Sequence, residues 1–169
     1  MIKKLVALLA MGLLAAPIMA NAGLIGSTVD VNWFFPTSST LFCSSGSATV
    51  GVGTEYAAGC SGFSPVSIDI TDNQVIVDTG GIGWSTGSFN GFVMSILSGP
   101  SILSASYNGG SMSFTSLAFD AGSVSFNFAG QDGGRAIFDI GSGSVPEPAI
   151  LALLGLGLAG LGWSRRKIA

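Results

Sequence analysis

The chain reads as an all-β protein with one β-sandwich or jelly-roll-like domain, for three reasons. Apolar residues recur at every second position in short runs. Turn-forming residues interrupt those runs every ~8–12 positions. No stretch between residues 23 and 140 repeats its apolar residues at the three-and-four spacing of a helix.

Val29, Val31, Trp33 and Phe35 alternate with Asp30, Asn32 and Phe34, which predicts a first strand that Pro36 ends. The polar Thr37–Thr40 stretch reads as a loop, and Ala48, Val50 and Val52 predict the next strand. Val66, Ile68 and Ile70 alternate with Ser67, Asp69 and Thr71. Asp72-Asn73 is a turn signal, and Val75-Ile76-Val77 reads as the returning arm of a hairpin. Gly80-Gly81 and Gly83 predict a loop that presents Trp84. Strands follow at Phe92–Ile96, Ile102–Tyr107, Met112–Phe119, Val124–Phe128 and Ala136–Ile140. Asn108-Gly109-Gly110, Asp120-Ala121-Gly122 and Gln131–Gly134 separate them. Residues 141–144, Gly-Ser-Gly-Ser, read as a flexible linker.

Both ends of the chain are addresses rather than fold. Residues 1–22 carry Lys3-Lys4, an apolar Leu5–Ala16 stretch and small residues around Ala20-Asn21-Ala22, the pattern of a secretory signal peptide. The A-x-A pattern puts signal-peptidase cleavage after Ala22 and the mature start at Gly23. The apolar stretch is short for an N-terminal membrane anchor.

With the ends set aside, residues 23–144 hold one basic residue, Arg135. Against it stand eight acids: Asp30, Glu55, Asp69, Asp72, Asp78, Asp120, Asp132 and Asp139. The resulting charge of −7 opposes nucleic-acid binding. Cys43 and Cys60 both lie in the exported part, where an oxidising compartment permits a disulfide. The other readings are two free buried thiols or a metal site, but two cysteines without any histidine make an incomplete one.

Residues 145–169 form the second address. Val145-Pro146-Glu147-Pro148 precedes an uncharged run, Ala149–Trp163, and then residues 164–169 with Arg165, Arg166 and Lys167. Fifteen residues fall below the ~20 that span a bilayer comfortably. Four glycines thin this helix, at 155, 157, 160 and 162. The basic cluster acts as a stop-transfer signal that keeps the tail's end in the cytoplasm and the body outside. Pro146 and Pro148 hold Glu147 in extended backbone. A plain C-terminal anchor shares this topology, whereas a lipid-anchor signal lacks the basic end. The three-part order resembles the PEP-CTERM sorting domain of Gram-negative bacteria. That resemblance implies processing by exosortase and delivery to the cell surface or an exopolysaccharide matrix. It covers about 25 residues and implies nothing about the body.

Missing residues narrow the chemistry. The chain has no histidine, and Lys3, Lys4 and Lys167 are its only lysines, all in the two addresses. Ser-His-Asp, Cys-His and Ser-Lys sites in the body are thereby excluded, and so are the usual zinc sites. No cofactor is expected. Carboxylate pairs could still serve glycoside hydrolysis, but most of the acids occupy strand faces and turns. Trp33, Trp84, Tyr56 and Tyr107 could stack on sugar rings, with Trp84 the better exposed candidate for a glycan contact. The reading is a non-enzymatic, surface- or matrix-directed structural or adhesive protein. The alternatives are a carbohydrate-binding module and a carboxylate-dependent glycoside hydrolase.

Overall fold

A computed structural model describes residues 23–57, 60 and 66–143. The expected signal peptide with Ala20 and Ala22, and the tail from Val145 to Ala169, lie outside the described residues. The described chain is all-β: β1 (Thr28–Phe34), β2 (Leu41–Thr49), β3 (Ser67–Ile70), β4 (Gln74–Asp78), β5 (Gly91–Ser98), β6 (Ser101–Gly110), β7 (Ser116–Phe119), β8 (Ser123–Asn127) and β9 (Arg135–Gly143). They form a five-stranded sheet in the order β2-β1-β5-β8-β7 and a four-stranded sheet in the order β3-β4-β9-β6. Every pairing is antiparallel. Among the described residues no helix is long and apolar enough to cross a membrane.

Alternation explains the layering. Val29, Val31 and Trp33 of β1 point inward, and so do Ile68 and Ile70 of β3, Val75 and Val77 of β4, and Ala136, Phe138 and Ile140 of β9. These residues belong to one buried cluster drawn from both sheets, which makes the arrangement sandwich-like. Phe126 of β8 meets Phe138 of β9 edge-on across the layers, with ring centroids 4.8 Å apart. Phe138 also contacts Tyr107, Phe114 and Phe128. It is fully buried and is the hub of the core.

Tyr56 ties the open side of the two sheets together. Its backbone bridges to Ile68 of β3. Its hydroxyl reaches the other sheet, lying 2.9 Å from Gly46 O of β2 and 3.3 Å from Val29 O of β1.

The structure differs from the sequence expectation in four places. β2 begins at Leu41 and ends at Thr49, so the strand lies earlier than the Ala48–Val52 alternation suggests. Val50 is buried beyond the strand end, and Val52 is fully exposed in a turn. β6 runs through Asn108-Gly109-Gly110 instead of stopping before it. Gly109 and Gly110 have φ of +139° and +129°, and a Cβ on Gly110 would overlap the Arg135 carbonyl, so only glycine lets β6 stay paired there. The strand expected at Met112–Phe119 shrinks to Ser116–Phe119, while Met112 plugs the core. Finally, Gly141–Gly143 belong to β9 and not to a linker. Gly143 pairs with Ser101, and a Cβ on Gly141 would displace the Ser104 hydroxyl.

The described chain enters and leaves at the same pole. Thr28 lies opposite both Thr49 and Ser98, and Ser101 lies opposite Gly143. The Leu24 N–H donates to Asp72 O in the β3–β4 turn, and the Ile102 N–H donates to Ala121 O in the β7–β8 turn. Gly23 and Gly143 therefore share this pole with both turns and with the Gly99-Pro100 turn.

Candidate functional site

At the opposite pole the aromatic residues open into a cavity of about 370 Å³, within the size range of small-molecule sites. Its walls come from the end of β1 (Trp33, Phe34), the start of β2 (Phe42), Cys60, and the loop that carries Ile82 and Trp84. Ser85 and Asn90 are the polar residues on its lining.

The Cys43–Cys60 disulfide braces one side. The two residues are 17 apart in sequence with a Cα–Cα distance of 5.7 Å, the usual span for such a bond. Cys43 lies opposite Trp33 across the β1–β2 ladder. Ser45 Oγ accepts from Trp33 Nε1 at 2.8 Å and from the Cys60 N–H at 3.1 Å. One hydroxyl thus fixes both the indole and the disulfide.

The loop after β4 is held just as closely. The buried Thr79 receives a hydrogen bond from the Gly134 N–H at 2.7 Å. The Trp84 N–H donates to Gln131 O, and the Phe89 N–H to Pro36 O. Asn127 Oδ1 accepts from the N–H groups of Asn90 and Ala129. These bonds hold the loop backbone on this side of the cavity.

Trp84 is where the structure corrects the sequence most. It is half-buried rather than presented, stacked on Trp33 at 5.7 Å and on Phe128 at 4.9 Å between centroids. Its Nε1 is buried and has no hydrogen-bond partner, an arrangement that costs about 1–3 kcal/mol. The other three aromatic candidates are also occupied. Trp33 is buried, Tyr56 is buried, and Tyr107 packs on Phe114 and Phe138 with its hydroxyl on Met112 O. None of these three is an open stacking platform, whereas Trp84 keeps a partly exposed face on the cavity.

Four of the acids accept from the backbone and two from side chains. Glu55 accepts from the N–H groups of Gly51 and Ile70, Asp78 from Gly80, and Asp72 from Ile25. Asp139 accepts from the side chains of Gln74 and Asn108, and Asp30 from Asn32. Asp120 caps its turn, accepting from the N–H groups of Gly122 and Ser123. The Gly122 amide, and then Ser123, hold the Asp120 carboxyl below its ordinary pKa. Among the described residues no three His, Cys, Asp or Glu side chains converge where a metal ion could sit.

Sequence reasoning found the disulfide pair but missed the Ser45 and Thr79 pins. No local pattern marks a single hydroxyl as a fixing point. It also missed Tyr56 as the link between the sheets.

The family model of the PEP-CTERM protein-sorting motif matches residues 144–167. The match takes in Val145-Pro146-Glu147-Pro148 and the basic cluster Arg165, Arg166 and Lys167. The motif implies export, processing by exosortase and association with the surface of a Gram-negative cell. No curated protein and no solved structure matches the chain.

Proposed function

We propose that the body is a non-enzymatic β-sandwich with a structural or adhesive role at the cell surface or in an exopolysaccharide matrix. In this reading signal peptidase releases the N-terminus at Gly23. The tail then holds the body at the membrane through the 149–163 helix until exosortase removes it. The observation that carries the reading is the sorting motif, which begins at residue 144, directly after β9. The chemistry of the body supports it. There is no histidine, the body has no lysine, and five of the eight acids accept hydrogen bonds that hold turns or neighbouring strands.

The test replaces Pro146, Glu147 and Pro148 with alanine and follows the protein by cell fractionation. The variant should cross the membrane yet stay in it at full tail length. Arrival at the surface at wild-type size and rate would make the tail an ordinary anchor.

The cavity favours a second reading, a saccharide- or small-ligand-binding module. Trp33 and Trp84, stacked on each other, line it, so a ligand would meet an aromatic wall and the polar Ser85 and Asn90. A glycan array on the secreted protein separates the two readings: binding that Trp84→Ala abolishes favours the module.

A further inference from the structure

Large exposed aliphatic residues gather at the pole where the chain enters and leaves. Ile25 is 58% exposed, Val52 107%, Leu97 61% and Leu103 49%. Their placement is local and specific. Val52 sits in a turn beside Gly53, whose φ is +105°, and Ile25 precedes Gly26, whose φ is +86°. The Gly26 N–H donates to Val50 O, which brings these two tips side by side.

Leu97 and Leu103 flank the Gly99-Pro100 turn, and each is the extra residue of a β-bulge. Thr28 pairs with Ser98 and Val29 with Ile96, so Leu97 has no opposite residue on β1. Ile102 pairs with Ser142 and Ser104 with Gly141, so Leu103 has none on β9. Bulges re-aim side chains, and here both turn a leucine outward at the same end of the sandwich.

The position of this pole names what covers it. Gly143 ends β9 there, and the uncharged 149–163 run begins only six residues later. Six residues reach at most about 20 Å when fully extended. A tether that short keeps this pole against the bilayer and raises its effective concentration there.

We propose that the Ile25, Val52, Leu97 and Leu103 pole rests in the lipid–water boundary of the membrane that holds the tail, and that tail removal releases it. Asp72 and Asp120 are exposed at the same pole, so a zwitterionic surface suits it and an anionic one opposes it. The proposal rests on the tail acting as a membrane tether.

The test uses the full chain reconstituted in phosphatidylcholine vesicles that contain brominated lipid, which quenches nearby tryptophan. Val52→Trp and Leu97→Trp are compared with Ile82→Trp at the opposite pole, after subtracting the native tryptophans. The added emission of the first two should fall by roughly half, as for a residue at the headgroup–acyl boundary, while that of Ile82→Trp stays unchanged. If Val52→Trp and Leu97→Trp are quenched no more than Ile82→Trp while the chain stays in the vesicles, this proposal fails and the tether reading stands. Release of the chain by alkaline carbonate would sink the tether reading and this proposal together. Concentration-dependent cross-linking through the pole, with no lipid quenching, would assign it to a second copy of the chain and overturn the lipid contact.

Discussion

Replacing Tyr56 by Phe should weaken the protein at neutral pH and strengthen it in strong alkali. The hydroxyl shares its proton between Gly46 O and Val29 O and so joins the β3 side of the core to β1 and β2. Losing a hydrogen bond of this kind costs about 1 kcal/mol. Burial pushes the phenol's pKa up from 10.0 to about 12, with the Asp30 and Glu55 carboxylates adding to the rise. Below pH 10 the phenol is protonated in both the folded and the unfolded chain, so the wild type keeps its full advantage. Between pH 10 and 12 the unfolded chain loses the proton first, and the wild type loses about 1.4 kcal/mol per pH unit. The ~1 kcal/mol advantage is therefore gone near pH 11, and at pH 12 the Phe variant leads by about 1 kcal/mol. Tyr107 is common to both proteins and drops out of the difference. Urea unfolding of both proteins at pH 8, 10, 11 and 12 would measure it. Parallel stability curves over this range would refute the burial of an un-ionised Tyr56 hydroxyl between the sheets.

Replacing Cys43 and Cys60 together by alanine opens a loop of 17 residues and should cost about 3 kcal/mol of stability. It should lower the melting temperature by roughly 10 °C in a thermal scan. Gly91→Ala places a Cβ on the Phe126 carbonyl of the neighbouring strand. No side-chain rotation relieves an overlap with backbone, so the variant should lose about 3 kcal/mol or more in urea unfolding. Gly51→Ala, whose added Cβ meets only the Thr49 carbonyl at 3.9 Å, should change stability little in the same assay.

Strands with one buried face were legible, and strands with none were not. β3 alternates strictly between Ile and polar residues, and Val75 and Val77 of β4 and Ala136, Phe138 and Ile140 of β9 recur at every second position, so pattern alone located them. β2, Leu-Phe-Cys-Ser-Ser-Gly-Ser-Ala-Thr, is an edge strand with mostly exposed side chains. Its place is set by ladder bonds to β1, which leave no mark in hydropathy. The cavity failed for a different reason. Glycines around Trp84 suggest an open loop, yet a Cβ on Gly133 would overlap the Ile82 carbonyl. Here glycine lets two loops lie against each other and cover the indole. The signal was present, and its meaning depended on a partner 50 residues away.

The two poles of the body differ in chemistry because of where β1 runs. Phe34 at its end helps to line the aromatic cavity, and Thr28 at its start lies beside the chain's entrance and exit. Six steps of about 3.3 Å place the two ends of β1 roughly 20 Å apart. The cavity therefore lies at the end of the body away from residue 143. The order of strands achieves this without any added element, because β9 runs from Arg135, opposite Asp78 and the start of the Trp84 loop, toward Gly143, opposite Ser101. Reversing the last strand would have put residue 143 beside the cavity. With β9 as it runs, Gly143 and the aromatic cavity stand at opposite poles of the body.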